Sequence, residues 1–301
     1  MAETTVNTID LNFQGNQHAI AAYLIKHDQG AILVESGPGS TLHALEKALN
    51  GLGAHLRDVT HVLLTHIHLD HAGAAGKLAQ LGATICVHPA GAPHLLNPEK
   101  LLASASRIYG DKMDSLWGEF LPVPENKLRL VNHGEELSIG GLKFGAYHSP
   151  GHAEHHVCYV FEDVCFTGDV GGVRIPGYQY LRVPMPPPEL NFEKWYATLA
   201  MLRGIGMNRI APTHFGIFED PDWHLAQVEF SLKSTEQWLG SVMPDDPPIE
   251  VLRDKFIKWI EDESSNLDMD LKVKKDYDLA NPLGMSADGL QRYWRKYKAN
   301  T

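Results

Sequence analysis

Cysteine is scarce in this chain. Three occur in 301 residues, Cys86, Cys158 and Cys165, each inside an apolar stretch. Their spacing suits neither a disulfide framework nor a zinc knuckle, so buried free thiols in a reducing compartment are expected. Long hydrophobic runs are also missing: no stretch approaches the ~20 apolar residues that cross a bilayer, which excludes a membrane-spanning helix. Positive charge is in deficit, with 26 Lys and Arg against 37 Asp and Glu and a formal charge of −11. That balance disfavours nucleic acid or an anionic membrane as partner and leaves a small-molecule substrate as the expectation, with a homodimer admitted. The opening stretch "MAETTVNTIDLNF" has no basic segment followed by an apolar one, so no secretory signal is read and a cytoplasmic location is expected. No S-x-x-K frame occurs, which excludes the serine and lysine acylation centre that such a frame builds.

What is present is a series of short apolar runs separated by turn signals, among them "HAIAAYLIKHD", "GAILVESG", "VTHVLLTH", "ATICVHP" and "VCFTGD". Helical patterns such as "TLHALEKALNGLG" and "LNFEKWYATLAMLRGIG" interrupt them. Strand runs alternating with helices predict a layered α/β domain over residues 1–220, and 44% hydrophobic content is enough for a sizeable core. Residues 90–126 read as an insertion with a helix from Glu99 to about Tyr109 and large apolar side chains, including Trp117; residues 172–190 hold five prolines and read as a stiff loop carrying Tyr178 and Tyr180. Both leave the scaffold beside candidate site residues, so they are expected to meet as pocket walls, with Tyr178, Tyr180 and Trp117 as substrate-pocket residues. Residues 221–301 turn helical, a C-terminal extension packed on the domain.

One stretch stands apart. "THIHLDHAG" places His66, His68, Asp70 and His71 within six positions, between the apolar run Val62–Leu64 and the helical pattern "AGAAGKLAQLG". With 17 His and 19 Asp in the chain, random placement yields this H-x-H-x-D-H arrangement roughly 0.003 times. Imidazoles and a carboxylate on a strand-to-helix loop are metal ligands in search of partners, because one loop cannot enclose an ion. Three downstream strand ends offer them: "SPGHAEHH" with His152, "FTGDVGG" with Asp169 and "APTHFG" with His214.

In that order the residues resemble the metallo-β-lactamase superfamily of metal-dependent hydrolases, over about residues 15–218. The resemblance implies a four-layer αβ/βα sandwich and two divalent transition metals. His66, His68 and His152 would hold the first, Asp70, His71 and His214 the second, and Asp169 would bridge them. Ligands without thiolate suit zinc, and iron or manganese also fit. The implied chemistry is attack of a metal-activated water on a small ester, thioester or lactone, with Asp70 orienting the nucleophile and carrying a proton. Phosphodiester or phosphotriester hydrolysis is the alternative and an iron-dependent redox role the third reading. His68 stands where flavodiiron relatives place Glu, and the segment after Asp169 lacks the sequences of glyoxalase II relatives and the nearby tyrosine of the lactonases. Supporting roles beside the ligands are expected for Glu35, which stands where the family carries Asp, for His156, the second histidine of the "PGHAEHH" stretch, and for Asp58 just before the ligand strand.

Overall fold

The structure is a computed structural model and describes residues 5–299, so residues 1–4 of the opening stretch lie outside it. Eleven strands form two sheets among the described residues. The first sheet runs β1 (Val6–Asp10), β2 (Ala21–His27), β3 (Gly30–Val34), β4 (Val59–Leu63), β5 (Thr84–Val87) and β6 (Leu128–Leu130), in that order. The second holds β7 (Glu135–Ile139), β8 (Leu142–His148), β9 (Val157–Phe161), β10 (Val164–Phe166) and β11 (Arg209–Ala211), ordered β11-β10-β9-β8-β7.

The apolar runs are strands buried on both faces, and their alternation decides which core each side chain enters. Ala21, Tyr23 and Ile25 of β2 point toward the second sheet and join Phe144, Tyr159 and Phe166 in the central core. Ala22 and Leu24 point the other way, against helices. Strands β3 to β6 are parallel and therefore need crossover connections. These are α1 (Leu42–Gly51), then α2 (Leu69–Ala72) with α3 (Ala75–Leu81), then the insertion with α4 (Ala92–Leu96), α5 (Glu99–Tyr109) and α6 (Met113–Trp117). The single helix read in "AGAAGKLAQLG" is thus preceded by a separate turn, α2, that carries two of the clustered site residues. Helix α3 stops at Gly82, whose φ of 123° an L side chain rarely adopts.

On the outer face of the second sheet lie α7 (Phe192–Arg203) and α8 (Pro221–Val242), followed by α9 (Ile249–Glu263), α10 (Leu271–Ala280) and α11 (Leu283–Tyr297). Cys158, Cys165 and Ile210 of the strands share one core with Trp195, Leu232, Phe256 and Leu290 of these helices. Helix, sheet, sheet, helix is the four-layer sandwich expected. The proline-rich loop is held down by the extension: Arg182 Nη1 donates to Asp278 Oδ1 at 2.6 Å, Asn281 Nδ2 to the Val183 carbonyl at 3.3 Å, and the Met185 amide to Ser286 Oγ at 3.2 Å. Gly289 of α11 meets this strap so closely that an added Cβ would stand 1.9 Å from the Met185 carbonyl oxygen.

Candidate metal centre

The clustered side chains come from loops at one edge of the sandwich. Beyond the C-terminal end of β4 come His66 and His68, and α2 follows at once with Asp70 and His71. The β8–β9 connection brings His152, the turn after β10 brings Asp169, and the segment after β11 brings His214. The ligand atoms of His66, His68, His152 and Asp169 lie within 4.8 Å of one another, and so do those of Asp70, His71 and His214. Asp169 faces both groups. Its Oδ2 is 3.3 Å from His152 Nε2 and 3.9 Å from His66 Nε2, while Oδ1 is 3.2 Å from His71 Nε2 and 3.3 Å from His214 Nε2.

The outward nitrogens are fixed by oxygen acceptors. His71 Nδ1 donates to Glu35 Oε1 at 2.9 Å, His214 Nδ1 to the Ala19 carbonyl at 2.6 Å, His152 Nδ1 to the Pro184 carbonyl at 3.0 Å, and His66 Nδ1 to Thr65 Oγ1 at 3.1 Å. With the proton held on Nδ1, each Nε2 lone pair points into the centre, the tautomer a metal requires. His68 reverses this, turning Nδ1 inward, 2.9 Å from His66 Nε2 and 3.0 Å from His152 Nε2. The buried His71 Nε2, His214 Nε2 and Asp169 Oδ1 have no hydrogen-bond partner at all. Buried polar atoms are rarely left so, and a cation between them satisfies all three at once.

The electrostatics say the same. Burial, with neighbouring imidazoles, holds His66 well below the usual histidine range and His68 down at about 3. Burial lowers His152 too, against the pull of Asp169. For His71 and His214 burial also opposes the charge, but it is outweighed. Asp70, Asp169 and Glu35 raise His71 well above its ordinary value, and Asp169 with Asp70 raises His214 to about 10. Burial alone would raise Asp70 and Asp169; the imidazoles reverse it, taking Asp70 to about 2 and Asp169 well below the carboxylate range. The pocket thus keeps two carboxylates ionised and demands positive charge between them, which divalent cations supply more fully than two protons.

Glu35 is buried and accepts hydrogen bonds from Thr65 Oγ1, from His71 and, at 2.9 Å, from Thr213 Oγ1, as a ligand-orienting residue would. His156 reaches no ligand by hydrogen bond. Its Nδ1 pairs with Ser149 Oγ at 2.7 Å and its ring stacks on His66 with centroids 5.0 Å apart, so it positions that ring by packing. Asp58 is misplaced by the sequence reading: it stands at the start of β4, a strand length from the ligands, and caps a turn by accepting from the His55 amide at 2.7 Å. Tyr178 and Tyr180 are a second correction. Both pack away from the centre with Val173, Ile175 and Tyr277, and the Tyr180 ring stands edge-on to Tyr277 at 5.1 Å.

A cavity of about 240 Å³ opens over the site, with His68, Asp70, His152 and Asp169 at its base. Trp117 lines it as expected, and the strap contributes Pro184 and Pro186 instead of its tyrosines. Contributors that were missed include Phe13, Tyr109 of α5, and residues between Asp278 and Ser286, where α10 ends and α11 begins. The amphipathic pattern of α5 held a signal for Tyr109; a wall from more than two hundred residues beyond Asp70 left none.

Residues 15–214 match the profile of the Metallo-beta-lactamase superfamily. The chain belongs to that superfamily. The metallo-beta-lactamase fold-containing protein ST1585 of Sulfurisphaera tokodaii is 29% identical over 148 residues, 48% of this chain and 56% of that protein. A hydroxyacylglutathione hydrolase of Xylella fastidiosa is 32% identical over 146 residues, 48% of this chain and 43% of its own length. The chain thus spans about half the length of these curated relatives. Among solved structures, ST1585 from Sulfolobus tokodaii superposes with a TM-score of 0.68 at 20% identity, over 95% of this chain and 98% of that one, a likeness of fold. The seven positions that a metallo-β-lactamase superfamily pattern implies in this chain are the seven whose side chains converge.

Proposed function

We propose that the chain is a dinuclear metal-dependent hydrolase of a small ester, thioester or lactone. The observation that carries this reading is Asp169, whose two oxygens face two separate ligand sets. His66, His68 and His152 would hold one divalent metal and Asp70, His71 and His214 the other, with Asp169 facing both sets. The all-nitrogen and oxygen donor set suits zinc, with iron or manganese as the other fitting ions. When bound, the two cations would supply Lewis acidity and lower the pKa of a water nucleophile toward about 7.

The protein's own groups do the rest. Asp70 turns Oδ2 toward His71 and His214, at 3.6 and 3.5 Å, and lines the cavity, so Oδ1 is free to take a proton from the attacking water and pass it to the leaving group. Trp117 and the strap prolines exclude bulk water from the base of the cavity. The relative named a hydroxyacylglutathione hydrolase supports acyl hydrolysis as the reaction class. Residues 221–299 belong to the same working unit as residues 5–220, because the α10–α11 junction lines the cavity. The three cysteines are buried and free, which supports a reducing, cytoplasmic compartment; among the described residues no helix is long and apolar enough to cross a membrane.

Metal-loaded protein assayed against p-nitrophenyl esters, thioesters, lactones and phosphodiesters tests the reading. Turnover of acyl substrates, abolished by Asp70→Asn, is expected. Turnover of phosphodiesters alone would replace it with the phosphoesterase reading, and oxygen uptake by an iron-loaded protein with no hydrolysis would replace it with a redox one.

A further inference from the structure

Three segments distant in sequence wall the cavity: α5 with α6, the proline strap, and the α10–α11 junction. Away from the metal centre, the polar side chains of the α10–α11 wall are already engaged. Asp278 is paired with Arg182, Asn281 with the Val183 carbonyl, and Ser286 Oγ accepts from the Met185 amide while donating to Asn281 Oδ1 at 3.0 Å. Among the described lining residues none is Lys or Arg. Arg182 is itself buried and committed to Asp278. An anionic group set against these walls, away from the metal centre, would therefore lose its hydration with no free cation to answer it.

Tyr109 is different. Its ring is fixed edge-on to Trp117 with centroids 5.0 Å apart, and Trp117 in turn stacks on Phe13 at 5.6 Å. The hydroxyl, half-buried, reaches only the Met285 sulfur at 3.8 Å, and a thioether is a weak acceptor. Asp70 lines the same cavity as the phenol. A rigid donor with a replaceable partner thus sits between the apolar walls and the reactive end.

Resting on the hydrolase reading, we propose that this cavity takes an uncharged, compact apolar acyl group, and that the Tyr109 hydroxyl exchanges the Met285 sulfur for an oxygen of that acyl group. The volume of about 240 Å³ falls below the ~300–1,000 Å³ of sites for drug-sized ligands and matches a short acyl chain or small lactone.

The test is calorimetric titration of the metal-loaded protein with hexanoate, the acid product of the ester, and with adipate, the same chain with a second carboxylate at its far end; both carry one carboxylate for the metal centre, so the difference reads the walls. Hexanoate is expected to bind at least about tenfold more tightly, the second carboxylate of adipate being unpaired and desolvated. Tyr109→Phe, which keeps the ring, is expected to weaken hexanoate at least about threefold, the loss of one hydrogen bond, with metal content and melting temperature unchanged. Equal affinities, tighter adipate, no binding of either, or an unaltered hexanoate affinity in Tyr109→Phe would overturn the proposal. The comparison of the two acids on the unaltered protein stands whatever the variant's stability. If hexanoate binds as described while no acyl substrate is turned over, the hydrolase reading fails and the pocket assignment survives.

Discussion

Glu35 supports both halves of the metal centre. It accepts directly from His71, and through Thr65, whose hydroxyl it also accepts from, it holds the proton of His66 in place. Glu35→Gln keeps the side-chain size but puts a donor where acceptors are needed. Metal affinity at the Asp70, His71 and His214 set is expected to fall about 10- to 100-fold in metal titrations, with a smaller loss at the other set. Asp169→Ala removes the only carboxylate shared by both sets, leaving two cations without the charge between them, and should lose metal and activity together; full metal content in that variant would remove Asp169 from the bridge. A third residue lies outside the centre. His88 accepts from the Ala90 amide at 3.0 Å and donates to His148 at 3.1 Å, which donates to the Val131 carbonyl at 2.8 Å. Burial, then the neighbouring His148, lowers His88 to about 4. A histidine lowered on folding contributes stability above the unfolded value of about 6.5, and that stability is lost as pH falls from there toward 4. The His88 imidazole NMR signals should still report the neutral ring at pH 5. At this scale the convergence of the seven His and Asp residues was legible because metal chemistry restricts residue type and order together. Asp58 was misread because proximity in sequence ran along β4 to its wrong end, and Tyr178 and Tyr180 because an irregular strap has no period to say which way a side chain points.

Helices α5, α8 and α9 were readable from apolar spacing, since an amphipathic face must be buried whatever it packs against. What they pack against was not. The C-terminal wall of the cavity depends on α11 touching the strap backbone at Gly289, a contact between residues about a hundred positions apart that leaves no mark in local pattern. Gly289→Ala forces these elements apart, because the Met185 carbonyl occupies the space a methyl group would need. The variant should be destabilised by about 1–3 kcal/mol in denaturant unfolding. It should also change KM across an acyl chain-length series while metal content stays intact, since all seven converging residues lie between His66 and His214. Unchanged KM values in a folded Gly289→Ala protein would mean that the strap and α11 do not shape the substrate site.

Across the whole molecule, the two sheets serve as a rigid edge from which four connections place seven side chains, while the outer helices and the insertion supply walls that differ in kind from the base. The base is polar and ionised; the walls are largely apolar, and the polar side chains of the α10–α11 junction are internally paired. That division separates the reaction, set by the metal centre, from the choice of substrate, set by segments outside the ligand loops. The central claim is that one chain holds two metals across Asp169, and elemental analysis of the purified protein, loaded with excess zinc and then desalted, tests it most directly. Two equivalents of metal per chain are predicted. A saturating value of one equivalent or less would contradict the dinuclear centre.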